Sequence, residues 1–218
     1  MIKIEKYLRE PINGLTHLAG AILSFIALLA MIIKTTLTDP SVLSITAVTI
    51  FGISMILLYA TSATYHLVIS SDRIINFLQR LDHSMIFLLI AGSYTPFCLI
   101  ALNNMPGWVL FSIISLSAIC GILFKMIWFN CPRKLSTGIY ISMGWLALFM
   151  IGPLAYVLSI KAILLLILGG ILYTVGGFIY ALKPTWLEFK HWKHHEIFHI
   201  FILLGSLTHF LCVYYYVL

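Results

Sequence analysis

Seven apolar runs of about 20 residues recur along the chain, at roughly 15–33, 41–66, 82–102, 107–127, 136–156, 162–181 and 195–217. A helix rises 1.5 Å per residue, so about 20 apolar residues match the ~30 Å hydrocarbon core of a bilayer. A membrane barrel would instead show alternating segments of about 10 residues, and that pattern is not found in the sequence. Between the runs stand turn formers: Asp39-Pro40, Asn103 to Gly107, and Lys183-Pro184. Only 9% of the residues are charged and 61% are hydrophobic, with mean hydropathy +1.06, against about 25% charged in a soluble domain. The expected fold class is therefore all-α, a single integral membrane domain over residues 1–218 built as a bundle of seven transmembrane helices.

The distribution of charge orients that bundle. Lys3, Lys6, Arg9, Arg73, Arg80, Lys125, Arg133, Lys134, Lys183, Lys190 and Lys193 fall on one side, so that side holds 11 of the 13 basic residues. Lys34 and Lys161 alone fall on the other. Cytoplasmic loops carry the excess of Lys and Arg, which puts the N-terminus in the cytoplasm and the C-terminus outside. The net charge of +6 is spread over short loops rather than gathered in a stripe, so it reads as topology and anionic-headgroup contact, with no nucleic acid as partner. The first apolar run lacks a small-x-small exit leading to a polar mature domain, and reads as a retained helix rather than a cleaved signal. Cys98, Cys120, Cys131 and Cys212 show no CxxC spacing and imply no disulfide framework. Gly169, Gly170, Gly176 and Gly177 recur at seven-residue spacing, predicting a smooth helix face for close packing in lipid.

This topology gathers the polar residues. His17 lies near the start of the first run, His66 at the end of the second, Asp82 at the opening of the third, and His195 and His199 at the opening of the last. All fall at one depth near the inner boundary of the hydrocarbon, where a polar side chain needs a partner inside the bundle. His195 and His199 are four residues apart and share a helical face, as do Ser62 and His66, and Asn13 and His17. Three imidazoles with an open fourth position are a zinc pattern, and His66, His195 and His199 form such a trio. Asp82 then either ligates directly or orients and deprotonates a water, and Ser62, one turn deeper than His66, could hold that water or an oxyanion. The competing reading is a set of interfacial histidines bathed in water and headgroups, which suits His191 and His194.

Residues 195–199 also satisfy HExxH, the pattern in which a glutamate serves as base of a zinc protease. No companion motif supplies a third protease ligand, and Glu196 is better read as an acid favoured at a helix N-terminus. His209 lies ten residues beyond His199, about 15 Å deeper. That is too far to share a metal, so it reads as a hydrogen-bonded core residue or a cavity lining. His83 reads as second-layer or interfacial.

Three motifs, Glu10-x-x-Asn13-x-x-x-His17, Ser62-x-x-x-His66 and His195-x-x-x-His199, occur in this order together with the stretch RLDHSMIFLLIAGSYTPF at 80–97. In this the chain resembles, over nearly its whole length, the hemolysin III family, within the superfamily of progestin and adiponectin receptors. The resemblance implies zinc held by His66, His195 and His199 with Asp82 near its water, while the part played by Glu10, Asn13 and His17 stays open. It also implies a multi-pass protein of the bacterial inner membrane, linked to lipid homeostasis, with membrane lipid as substrate or ligand and no protein partner expected. Three functions are compatible with that: a ceramidase-like hydrolase of a lipid amide, a zinc-stabilised sensor without turnover, and a cytolytic haemolysin. Nothing in the sequence points to secretion or to a soluble form that inserts, which weakens the last.

Overall fold

Short polar residues and prolines fix where each apolar run starts to coil. The computed structural model describes residues 7–128, 130–190 and 192–218; Lys3 and Lys6 of the charge tally, and His191, lie outside the described residues. Its helices are α1 (Pro11–Thr38), α2 (Val42–Leu67), α3 (Asp72–Leu102), α4 (Met105–Ile127), α5 (Arg133–Val157), α6 (Ile160–Leu182) and α7 (His194–Tyr216), all seven long and apolar enough to cross a membrane. Ser41 caps α2 by accepting from Ser44 N, Asn104 caps α4 by accepting from Gly107 N, and Ser159 caps α6 by accepting from Ala162 N. Each satisfies one of the N–H groups that a helix start leaves without a carbonyl. Pro11 and Pro106 occupy first-turn positions, where no N–H is needed. Asn103 and Lys183, at φ 37° and 50°, turn the chain out of α3 and α6 through the left-handed region.

Two helices depart from the plain rods that hydropathy predicts. α3 begins at Asp72, ten residues before its apolar segment, so Asp82 sits nearly three turns inside the helix rather than at its opening. Hydropathy marks residence in lipid, and the polar turns carrying Arg73, Gln79 and Arg80 continue the helix beyond it. Farther on, Pro96 has no N–H for the Gly92 carbonyl. The Thr95 hydroxyl donates to that oxygen instead, at 2.6 Å, and the helix widens into π-helical turns over Phe97–Leu102. α5 is broken in the middle, with a 3₁₀ stretch over Leu146–Met150. Here the Tyr94 hydroxyl of α3 enters the hydrogen-bond ladder, accepting from Ala147 N at 2.8 Å and donating to the carbonyl of Gly144 at 2.6 Å. A side chain inserted in this way is a recognised cause of helix irregularity.

Packing follows chain order from α1 to α4, α6 packs on α7, and α7 closes the bundle against α1; α5 leans on α6 and α3. One apolar cluster joins Met31, Phe51, Tyr59 and Val213, and a second joins Phe87, Ile114 and Met143. The outer faces present large apolar side chains such as Leu23, Phe25, Leu116 and Ile119, as a lipid-facing surface requires. The α6 glycines serve two neighbours rather than one. A Cβ on Gly169 or Gly176 would meet His209 or Phe201 of α7, and one on Gly177 would meet Thr137 and Ile141 of α5. A seven-residue repeat of glycine pairs makes two adjacent smooth stripes, because successive residues stand about 100° apart around a helix.

Candidate metal centre

The last turn of α2 and the first turns of α7 meet at one end of the bundle, and three imidazoles meet there with them. His66, His195 and His199 each offer a ring nitrogen within 4.8 Å of the other two. His66 and His199 are each only 1% exposed, so neither ring is solvated by bulk water. His66 Nε2 faces His195 Nε2 at 3.4 Å. Two ligands of a tetrahedral zinc with bonds of 2.0–2.1 Å stand about 3.3–3.4 Å apart, so this separation fits a shared cation.

The segment before α1 fixes the chemistry of His66. Arg9 N and Glu10 N donate to the carbonyls of Leu67 and His66, at 3.3 and 2.9 Å, laying the chain along the end of α2. Glu10 Oε2 lies 2.6 Å from His66 Nδ1. That hydrogen bond, more than any other influence, lowers the Glu10 carboxyl to about 2, against the opposing effect of burial. A carboxylate accepts only, so Nδ1 carries a proton, and in the neutral ring Nε2 then keeps its lone pair, the tautomer a metal ligand needs. Arg9 steadies the arrangement, its guanidinium donating to the Tyr65 carbonyl at 2.5 Å and lying 4.2 Å from the Tyr65 ring centre.

Asn13 then ties α1 to α7. Its Nδ2 donates to Glu10 Oε2 at 3.2 Å and to Glu196 Oε1 at 3.0 Å, while Glu196 Oε2 accepts from Lys193 N at 2.9 Å and caps α7. Glu196 is thus engaged at the helix start and with Asn13. His17 lies flat against His199, with ring centres 3.6 Å apart and planes 10° apart, and meets Tyr59 edge-on. Both His17 nitrogens are buried without a hydrogen-bond partner among the described residues.

Asp82 and Ser62 face the same space from α3 and α2. The Ser62 hydroxyl lies beside the Asp82 carboxyl, but no hydrogen bond of good geometry joins them, and Ser62 Oγ is buried without a partner among the described residues. Both line a cavity of about 370 Å³ that also takes in His17, His195 and His199 and runs down to Leu102, Leu110 and Leu154. Asp82 and Leu102 are 20 residues apart on α3, which is about 30 Å of helix. One end is therefore polar and the rest mostly apolar.

The structure brings together His66, His195, His199, Glu10, Asn13, His17, Asp82 and Ser62, and leaves two histidines apart. His83 lines the cavity and packs with α5 and α6: its carbonyl accepts from Tyr140 at 3.1 Å and its Nε2 lies 3.4 Å from the Tyr180 hydroxyl. His209 lies deep in the bundle, with Nε2 3.3 Å from the Leu166 carbonyl. Beside it the Tyr59 and Tyr173 hydroxyls converge on Ser206 Oγ at 2.6 and 2.8 Å. That cluster escapes sequence reading because tyrosine and serine are ordinary members of apolar helices. Arg9 also escapes, although its place before Glu10 was available as a signal.

Comparison with known proteins adds to this geometry. A family model described as "Haemolysin-III related" matches residues 5–210. "Hemolysin-3" of Bacillus cereus is 42% identical over 219 residues, covering 100% of this chain and 96% of that protein. "Hemolysin-3 homolog" of Bacillus subtilis is 41% identical over 207 residues, covering 95% and 93%. "Heptahelical transmembrane protein 1" of Arabidopsis thaliana is 27% identical over 180 residues, covering 73% of this chain and 52% of its own length. The seven spans and the Bacillus relatives place the chain in a bacterial inner membrane as a multi-pass protein.

Proposed function

Because the chain belongs to the haemolysin-III-related family, we propose that it is a zinc-dependent hydrolase of lipid amides with its reactive end at the cytoplasmic face. One observation carries this reading: an apolar cavity some 20 helical residues long ends on Asp82, His195 and His199, and the last two converge with His66 just behind the cavity wall. An amphiphile that lays its chain along the cavity puts its carbonyl among those groups. His66, His195 and His199 would hold the zinc, which when bound polarises a carbonyl and makes water acidic enough to attack near neutral pH. Glu10 keeps the proton of His66 on Nδ1, and His17 holds the plane of His199 by stacking. Asp82 takes the proton of the attacking water on a carboxylate oxygen and passes it to the leaving amine. Ser62 donates its otherwise unshared hydroxyl proton to the carbonyl oxygen as charge builds there.

The cytoplasmic placement rests on the bias of 11 basic residues against 2, and cysteine labelling of the 2–3 and 6–7 loops in intact cells checks it. The relatives' name speaks of haemolysis; in this reading lysis follows indirectly, from altered membrane lipid. The test is metal content of protein purified without chelator, paired with mass comparison of lipid extracts. Wild type should carry about one zinc per chain and deplete an amide lipid. Asp82→Asn should keep the metal and lose turnover by about 10²–10⁴-fold. A second reading has its own support, since the trio bridges only α2 and α7, as a clamp would. In that case Asp82→Asn leaves the cellular phenotype intact while His199→Ala destabilises the fold.

A further inference from the structure

The α4 and α5 side of the cavity carries charge that amide hydrolysis does not use. Lys125, in the last turn of α4, is only 4% exposed. A lysine that served topology alone would extend its ammonium to the headgroups, and the α4 C-terminus favours a cation without requiring it to turn inward. Lys125 instead lines the cavity, its Nζ donating to Ser136 Oγ at 2.6 Å and to Cys131 Sγ at 3.4 Å. Ser136 lies one turn beyond Arg133 at the start of α5, so the two share a face. Arg133 lines the mouth of the same cavity, its guanidinium 4.8 Å from the Tyr180 ring centre, and Tyr180 in turn stands 6.0 Å from the His195 ring. Asp82 is the one carboxylate among the described residues that line it.

We propose that this corner is a subsite for the phosphate of a single-chain amphiphile, seated between Lys125 and Arg133 with the acyl chain lying along the cavity. It deepens the reading of the cavity as an amphiphile site and rests on it, but requires neither zinc nor turnover. Two cations from different helices, with the Ser136 hydroxyl beside Lys125, suit a group that presents several acceptor oxygens at once. Arg133 adds planar, paired donors and Lys125 a point charge. Tyr180 separates the corner from the histidines by a distance that a few bonds of a lipid backbone span, so headgroup and carbonyl can be held together.

Binding to the purified full chain in phosphatidylcholine nanodiscs tests this, with lysophosphatidate, monoacylglycerol of the same chain and inorganic phosphate as probes. Lysophosphatidate should bind about ten- to hundredfold more tightly than monoacylglycerol, the range that charge-assisted hydrogen bonds give. Lys125→Gln and Arg133→Gln should each shrink that preference and leave monoacylglycerol affinity unchanged. If Lys125→Gln does not fold, the exposed Arg133→Gln decides alone. Equal affinity for the two amphiphiles overturns the phosphate subsite and leaves the cavity reading standing. Binding of neither overturns both. Inorganic phosphate binding as tightly as lysophosphatidate, or an undiminished preference in the double variant, also overturns it.

Discussion

His199 and His209 stand ten residues apart on the same helix, both nearly out of solvent, and they live under different rules. His199 is surrounded by other rings: His17 stacked on it, His66 edge-on at 5.0 Å and His195 at 4.6 Å. His209 has a backbone carbonyl for its Nε2, the notch over Gly169 for its edge, and Tyr173 across its face. One ring is surrounded by groups with the same appetite for a cation; the other has its Nε2 on the backbone and its Nδ1 buried without a partner among the described residues, and it does not belong to the trio. Burying a histidine in a membrane helix therefore does not make a site. What makes one is the arrival of further donors that have nothing else to bind.

The sharpest way to break this contrast is to delete each ring. His199→Ala should reduce bound zinc from about one per chain to background, whereas His209→Ala should retain the metal and lower thermal stability by about 1–3 kcal/mol, as the Leu166 carbonyl loses its donor; elemental analysis beside thermal melts reads both. Loss of metal in both variants would erase the distinction. Glu10→Ala should weaken zinc binding about 10–100-fold through the loss of the group that orients His66, seen by competition against a chelator. Gly169→Ala should leave the metal untouched yet destabilise by about 1–3 kcal/mol, because the new Cβ would stand 2.2 Å from His209 Cδ2. Adding His209→Ala should recover part of that loss. Smallest is Tyr173→Phe, which removes one hydroxyl from Ser206 and should lower stability by about 1 kcal/mol without altering metal content.

Much of the fold was legible because the bilayer sets one length and one polarity for every span. The common depth of His66 with His195 and His199 followed from topology, since α2 ends on the side where α7 begins; which helices then stand side by side is set by packing. Other features turn on single atoms. The break in α5 depends on a phenol from α3, which hydropathy does not see. In the sequence Asp82 reads as the opening of a helix because the polar turns before it look like loop. The α6 glycines gave a correct spacing and an incomplete geometry: periodicity names a stripe, while only the neighbours reveal that adjacent stripes serve different helices. The pairing of Glu10 with His66 lay inside a recognisable motif, yet its meaning needed the chain to fold back along the end of α2.

That fold-back bears on how the protein is made. Glu10 grips both the carbonyl and the ring of His66, so the segment before α1 and the end of α2 can orient one imidazole of the trio before the later helices are made. The other two histidines of the trio belong to α7. A half-synthesised chain holds a prepared imidazole with nothing to share it, and metal can be captured by all three rings only once α7 has been inserted and has docked against α1. Acquisition of an ion there would then register, in one event, that α2 and α7 have both been inserted and have met.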